Sequence, residues 1–273
     1  MGSSPPYRLE HVRKLFGRHQ VALDGVSLTI EKGQRVALIG PSGAGKTTLF
    51  RLLNCTLRQS SGKIWINGED AETLHGKRLR RARSLIGTVY QQHNLVQRLK
   101  VIHNVLSGQL ARWSTLGSLL SLLRPSDVAL AHAALQKVGI AEKLFERTDE
   151  LSGGQQQRVA IARVLVQDPE IILGDEPVSS VDPTLANTIV KLLIDISQET
   201  RKTLIVSLHS VDLALAYFPR VIGINNGRTS FDLPPDRISE GMLDELYAGS
   251  RESRSVSEAV SESTVPLIYP TAS

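Results

Sequence analysis

Three short apolar runs, Val36 to Ile39, Ile171 to Leu173 and Leu204 to Val206, are rich in β-branched residues and end in turn or polar residues. That is the pattern of strands buried on both faces. Helical periodicity follows them. Thr47 to Leu57 sets Leu49, Leu52, Leu53 and Leu57 on one side, and Thr184 to Thr200 does the same with Ile189, Leu192, Leu193 and Ile196. Strands alternating with helices predict an α/β fold with a mainly parallel sheet covered on both faces. Gln20 to Ile30 and Gly62 to Asn67 instead alternate apolar and polar positions beside the turn residues Glu31-Lys32-Gly33 and Asn67-Gly68, which predicts an antiparallel β subdomain. Between Asn94 and Glu150 the strand signal disappears, and Ser126 to Val138 reads as a helix capped by Ser126 and stopped at Gly139. A helical subdomain inserted over about residues 94–155 is therefore expected. From Ser250 the chain is rich in Ser and Glu with almost no periodicity, so a domain over 1–249 and a flexible tail over 250–273 are expected. Within the tail, Val256 to Val260 is a candidate short helix for a partner.

Composition narrows the class without changing this layout. The 273 residues are 41% hydrophobic and 22% charged, which is ordinary for a soluble globular protein. The single cysteine, Cys55, excludes an internal disulfide framework and fits a reducing compartment. Met1 to Leu9 has no apolar core of the kind a secretion signal needs, and the best apolar run, Leu116 to Leu123, is far too short to span a bilayer. A membrane role would therefore run through a partner. The formal charge of +5 admits an anionic partner but does not select nucleotide, nucleic acid or lipid.

The selection comes from Gly40-Pro41-Ser42-Gly43-Ala44-Gly45-Lys46-Thr47, which matches G-x-x-x-x-G-K-[ST] between a strand and a helix. Four fixed positions recur by accident in roughly 1% of chains of this length, and the strand-and-helix context lowers that further. Glycines let backbone N–H groups turn inward around phosphate oxygens at a positive helix end. Lys46 then reaches the β- and γ-phosphates, the Thr47 hydroxyl can ligate Mg²⁺, and Thr48 continues the cradle. Asp175, ending the run Ile171-Ile-Leu-Gly-Asp, sits at the sheet edge where it can hold Mg²⁺, and Glu176 beside it can orient or deprotonate an attacking water. Leu151-Ser152-Gly153-Gly154-Gln155, running into Gln156-Gln157-Arg158, is a second helix start with small residues and free N–H groups. It can contact a γ-phosphate without a lysine.

From about Tyr7 to about Asp232 these motifs resemble the ATP-binding subunit of ABC transporters, an ABC ATPase on a P-loop NTPase core. The resemblance implies ATP and Mg²⁺ as ligands and a head-to-tail dimer, each ATP lying between one copy's phosphate loop and the other's Ser152 to Gln155. It further implies that Gln91 reaches the Mg²⁺ and water region and senses a permease, and that Asp182, in Ser179-Ser-Val-Asp182, belongs to the family's D-loop. His209 is implied as the switch histidine on the γ-phosphate, and Phe16 as the aromatic that stacks on adenine. Gly174 stands where the family often has Ala, and Val178 where Thr is frequent. The expected catalytic set is Glu176, His209, Lys46 and Gln91, and the expected metal ligands are Thr47, Gln91 and Asp175.

Ile86 to Leu99, Asn104 to Gly108 and Val206 to Leu215 together resemble the ATP-binding subunit of bacterial phosphonate importers; importers of phosphite or phosphate-like oxyanions share the pattern. The resemblance implies permease subunits, an extracytoplasmic solute-binding protein and a place on the cytoplasmic face of the inner membrane. An importer ATPase for another solute is the alternative. A non-transport ABC ATPase acting on nucleic acid or ribosomes is less favoured, since such proteins usually resemble fused cassettes or cassettes split by a long coiled coil. A small-molecule kinase is disfavoured by Leu151 to Gln155. The basic cluster Lys77, Arg78, Arg80, Arg81 and Arg83 has no acid and no interleaved aromatic, so it reads as a solvated helix face or a docking surface, and no nucleic-acid partner is expected.

Overall fold

The computed structural model describes residues 4–17, 19–110, 127–179 and 181–248. Ser126, Leu116 to Leu123 and the tail from 250 onward, with its candidate helix, lie outside the described residues.

Strands β1 (Tyr7–Phe16), β2 (Gln20–Ile30), β4 (Ser61–Ile66) and the two-residue β5 (Glu69–Asp70) form an antiparallel sheet in the order β2-β1-β4-β5. Strands β3 (Arg35–Ile39), β6 (Ile86–Tyr90), β7 (Ile171–Asp175), β8 (Thr203–Ser207), β9 (Arg220–Asn225) and β10 (Arg228–Leu233) form the second sheet, in the order β10-β9-β3-β8-β7-β6. It is parallel except at its edge, where β10 returns antiparallel to β9. The helices are α1 (Lys46–Leu53), α2 (Gly76–Ser84), α3 (Val101–Leu106), α4 (Val128–Lys137), α5 (Gly153–Gln167), α6 (Pro183–Thr200) and α7 (Val211–Tyr217), followed by α8 over residues 240–248.

Alternation along the parallel strands divides the core into two layers. Val36 and Leu38, Ile171 and Leu173, and Ile222 and Ile224 face α1 and the antiparallel sheet, joining Leu49, Phe50, Leu53, Tyr7 and Leu28. Ala37, Ile39, Ile172, Leu204 and Val206 face the other way, toward Val159, Ile161, Ile189 and Leu193 of α5 and α6. Each fully buried aliphatic side chain of this kind stabilises the fold by about 1.5–3 kcal/mol. Because both faces are covered, these strands read as unbroken apolar runs, as the sequence pattern predicts.

The register brings the motifs into line. Leu38 pairs with Ser207, Ser207 with Asp175, and Asp175 with Tyr90, so one row crosses β3, β8, β7 and β6 near their carboxyl ends. The phosphate loop, His209, Glu176 and Gln91 all leave the sheet just past that row, at the edge where open α/β sheets bind ligands.

Several expectations need correction. The cap of α4 is Asp127, whose Oδ1 accepts from the Leu130 amide at 3.1 Å, and the helix begins at Val128. Helix α1 stops at Leu53, short of Leu57, because Cys55 turns left-handed at φ 60° and the Leu57 amide folds back onto the Arg51 carbonyl. Strand β1 carries irregular register on both sides and broken alternation, so the sequence pattern does not reveal it.

Candidate active site

The loop after β3 is shaped by its glycines. Gly40 has φ 151°, and a Cβ there would stand 2.0 Å from the Ile224 carbonyl oxygen, so only glycine lets the loop leave the sheet here. Gly45, at φ 105°, precedes α1 and offers no side-chain cap, so the first amides of α1 remain directed at the loop's interior. A Cβ on Gly45 would meet the Ala22 carbonyl at 2.5 Å, which seats β2 directly against the loop. Phe16 stands at the turn end of the β1–β2 hairpin, near Ala22, paired with Gln20, with Lys14 Nζ 5.2 Å from its ring centroid.

Lys46 is buried, and its Nζ donates to the Gly40 carbonyl at 2.7 Å and to the Pro41 carbonyl at 3.1 Å. Burial pulls its ammonium below the usual lysine range, with Glu176 and Asp175 opposing the shift. Thr47 Oγ1 lies 3.5 Å from Asp175 Oδ1. Burial pushes the Asp175 carboxyl above the usual carboxylate range, against a 3.1 Å hydrogen bond donated by the Ser207 hydroxyl. These two oxygens suit Mg²⁺, which is commonly held by one or two carboxylates together with substrate phosphates. A cation there would also relieve the cost of burying an ionised Asp175. Among the described residues no group of three or more His, Cys, Asp and Glu could hold a metal without such help.

Glu176 takes a left-handed backbone, φ 50°, directly after β7, and its amide donates to Ser207 Oγ at 2.9 Å. Its Oε1 lies 2.7 Å from His209 Nε2 and 3.9 Å from Lys46 Nζ. A carboxylate so held, only 14% exposed and aimed beside a phosphate-binding lysine, is placed to accept a proton from water. A cavity of about 470 Å³ opens behind Glu176 and His209 between α6 and α7, bordered by Ser179, Asn187 and Leu213.

The structure thus brings together Lys46, Thr47, Asp175, Glu176 and His209. Gln91 is exposed and follows Tyr90, the residue beside Asp175 in the sheet. Ser152 to Gln155 stand apart: no hydrogen bond or ion pair among the described residues joins them to the phosphate loop. Ser152 caps α5 in a reciprocal box with Gln155, its Oγ accepting from the Gln155 amide and its own amide donating to Gln155 Oε1. Asp182 caps α6 by accepting from the Leu185 amide at 3.0 Å; Ser180 lies outside the described residues. At Gly174 a Cβ would stand 3.2 Å from Pro177 and Val206 side-chain atoms, a tight fit, and Val178 packs partly buried on the main core.

Two residues were not anticipated. Ser207 is fully buried and bridges Asp175 and the Glu176 amide; the signal was a polar residue ending an apolar strand, the same signal that singled out Asp175. Arg163 of α5 donates to the Asn94 and His93 carbonyls at 2.7 and 3.1 Å, tying the helix that starts at Ser152 to the segment after Gln91. No local pattern marks it.

Comparison with known proteins fits this geometry. A family model described as ABC transporter matches residues 23–179. The phosphonates import ATP-binding protein PhnC of Pseudomonas fluorescens (strain Pf0-1) is 50% identical over 230 residues, 84% of this chain and 87% of that one. PhnC 1 of Pseudomonas syringae pv. syringae is 47% identical over 260 residues, 95% of this chain and 98% of that one. Among solved structures, the dimeric post-hydrolysis state of the ATP-binding cassette MJ0796 bound to ADP and Pi is similar with a TM-score of 0.71 and 29% identity, covering 84% of this chain and 98% of that one. The cbiO1 protein of Clostridium perfringens, part of the cbiONQ ABC transporter complex, is similar with a TM-score of 0.73 and 28% identity, covering 93% and 94%. With the family model spanning more than half the chain, the protein belongs to the ABC transporter family as an ATP-binding, ATP-hydrolysing cassette.

Proposed function

We propose that this cassette, extending over residues 1–249, powers bacterial import of phosphonate or a related phosphorus oxyanion such as phosphite through a partner permease. The observation that carries the cargo is the 47% identity to a phosphonates import protein over nearly the whole of both chains. The observation that carries the chemistry is the Glu176 oxygen shared between His209 and Lys46.

Two copies pair head to tail, so that Ser152, Gly153, Gly154 and Gln155 of each complete the phosphate site of the other. The dimeric state of the similar cassette MJ0796 supports this, as does the absence of any bond from these residues to their own loop among the described residues. Phe16 stacks on the adenine. Residues Gly40 to Thr48 hold the phosphates through backbone amides, and Lys46 turns from the Gly40 and Pro41 carbonyls to the β- and γ-phosphates. Thr47, Asp175 and Gln91 would hold magnesium, which would supply neutralisation of charge on the phosphates. Glu176 takes a proton from the attacking water, and His209 with the partner's helix start stabilises the γ-phosphate oxygens by preorganised contacts. Asp182 keeps the loop before α6 in shape at the dimer contact.

No helix among the described residues is long and apolar enough to cross a membrane; the likeness to phosphonates import ATP-binding proteins supports a peripheral place on the cytoplasmic face of the inner membrane. The extracytoplasmic solute-binding protein supplies cargo from the other side. No nucleic-acid partner is part of this reading; in the basic cluster on α2, Arg78 pairs with Glu69, and Arg80 and Arg83 donate to the Leu110 and Cys55 carbonyls. The decisive test is a complex reconstituted with permease and binding protein. Its ATPase should rise with phosphonates or phosphite and not with amino acids; stimulation by amino acids alone overturns the cargo assignment.

A further inference from the structure

The two glycines that open α5 have different surroundings. Neither has a positive φ, so the backbone itself would accept another residue at either place, and glycine weakens a helix. Nothing stands within 4 Å of a Cβ built on Gly153. On Gly154 that atom would overlap one δ-methyl of Leu185 and stand 3.5 Å from the other. The Leu185 side chain thus fills the space that a larger residue at 154 would need.

Leu185 is itself held in place. It lies in the first turn of α6, behind Pro183, whose fixed φ suits a helix start. Its amide donates to Asp182 Oδ1 at 3.0 Å, and the next amide, that of Ala186, donates to the Asp182 carbonyl at 2.9 Å. Its side chain is half-buried and packs on the main core. Across the contact, Ser152 and Gln155 close their reciprocal box on either side of Gly153 and Gly154. Two helix starts, one capped by Ser152 and the other by Asp182, therefore meet through one leucine and one glycine.

We propose that Leu185 is a positioning residue for pairing: it seats the start of α5 on α6, so that Ser152 to Gln155 and the loop ending at Asp182 are offered to a second copy as one preformed surface. A surface ordered before association leaves less ordering to oppose binding. Neither Leu185 nor Gly154 belongs to the chain's own phosphate loop, so the contact acts on the partner's nucleotide and not on its own. The inference rests on the head-to-tail pairing and not on the cargo.

The test uses the full-length chain carrying Glu176→Gln, in which ATP-bound dimers should accumulate, and reads two equilibria. Light scattering against protein concentration gives the Kd of ATP-driven pairing. Calorimetry with ADP, which lacks the γ-phosphate that the partner's helix start would contact, gives the Kd of the chain's own site. Leu185→Ala should raise the pairing Kd about 10-fold, within the range of couplings between packed neighbours, and leave the ADP Kd unchanged. Leu185→Met refills the space and should restore pairing. Gly154→Ala should weaken pairing because Leu185 must turn aside. In the double variant Gly154→Ala, Leu185→Ala the new methyl meets no leucine, so the loss should be no greater than for Leu185→Ala alone. Unchanged pairing in Leu185→Ala, equal weakening of both equilibria, or losses that add in the double variant would each overturn the inference. If the Glu176→Gln chain itself fails to pair with ATP, the head-to-tail reading falls and takes the inference with it.

Discussion

Glu176 Oε1 lies 2.7 Å from His209 Nε2, and the same oxygen faces Lys46 Nζ at 3.9 Å. The carboxylate is thus oriented by a histidine just after β8 and a lysine opening α1, the helix that follows β3, and β3 and β8 are direct neighbours in the sheet. Glu176→Gln keeps the shape and removes the proton acceptor. Hydrolysis should fall by about 10²- to 10⁴-fold while an ATP-bound dimer accumulates, which light scattering can follow. Normal turnover would remove Glu176 from the role. His209→Ala should also lower kcat, and the double variant should be little worse than Glu176→Gln alone, because the two residues act as a unit.

Ser207 is the junction beneath that pair. Its hydroxyl donates to Asp175 and accepts from the Glu176 amide, in a position with no solvent. Ser207→Ala leaves the amide without its acceptor and the carboxylate without its donor. Denaturant unfolding should register a loss of about 1–3 kcal/mol, and kcat should fall because the left-handed turn at Glu176 loses its anchor. An unchanged unfolding midpoint and kcat would show that the bridge is dispensable.

Asp175→Asn should stabilise the chain while ending its activity. The folded carboxyl is raised above its unfolded value by burial, against the Ser207 hydrogen bond. The folded state therefore holds the proton more tightly, and the wild type loses stability as pH rises from the unfolded carboxylate range through the folded value. Without nucleotide and magnesium, the variant should melt above wild type at pH 7. The gap should close as pH falls to about 4 and below, where both states are protonated. Thermal melts across that range decide it, and a gap independent of pH would assign the effect to packing.

Glycines in the phosphate loop should separate by cause. Gly40→Ala forces a Cβ to within 2.0 Å of the Ile224 carbonyl, so the loop or β9 must move. Gly43 also has a positive φ, 79°, yet nothing stands within 4 Å of its Cβ position. Gly43→Ala should cost about 1–2 kcal/mol of backbone strain, and Gly40→Ala clearly more. Equal unfolding midpoints for the two variants would show that the steric contact at Gly40 relaxes freely.

Much of this protein was legible along the chain. The buried parallel strands announced themselves as apolar runs because both their faces are covered, and Gly40 to Thr47 carried its chemistry in eight consecutive positions. The termini of α1 and α4 were misplaced, since a left-handed Cys55 and an Asx cap at Asp127 are choices of single backbone angles that periodicity does not register. Strand β1 was invisible because its bulges break alternation.

What the sequence determined alone is the set of local groups: a glycine loop ending in Lys46 and Thr47, two acids closing a strand, and a helix start at Ser152. Tertiary structure decided which of these meet. Strand order places β8 between β3 and β7, so Ser207 and His209, distant in sequence from both motifs, stand between them. Such meetings depend on register and on packing between separate segments, and no run of neighbouring residues records them.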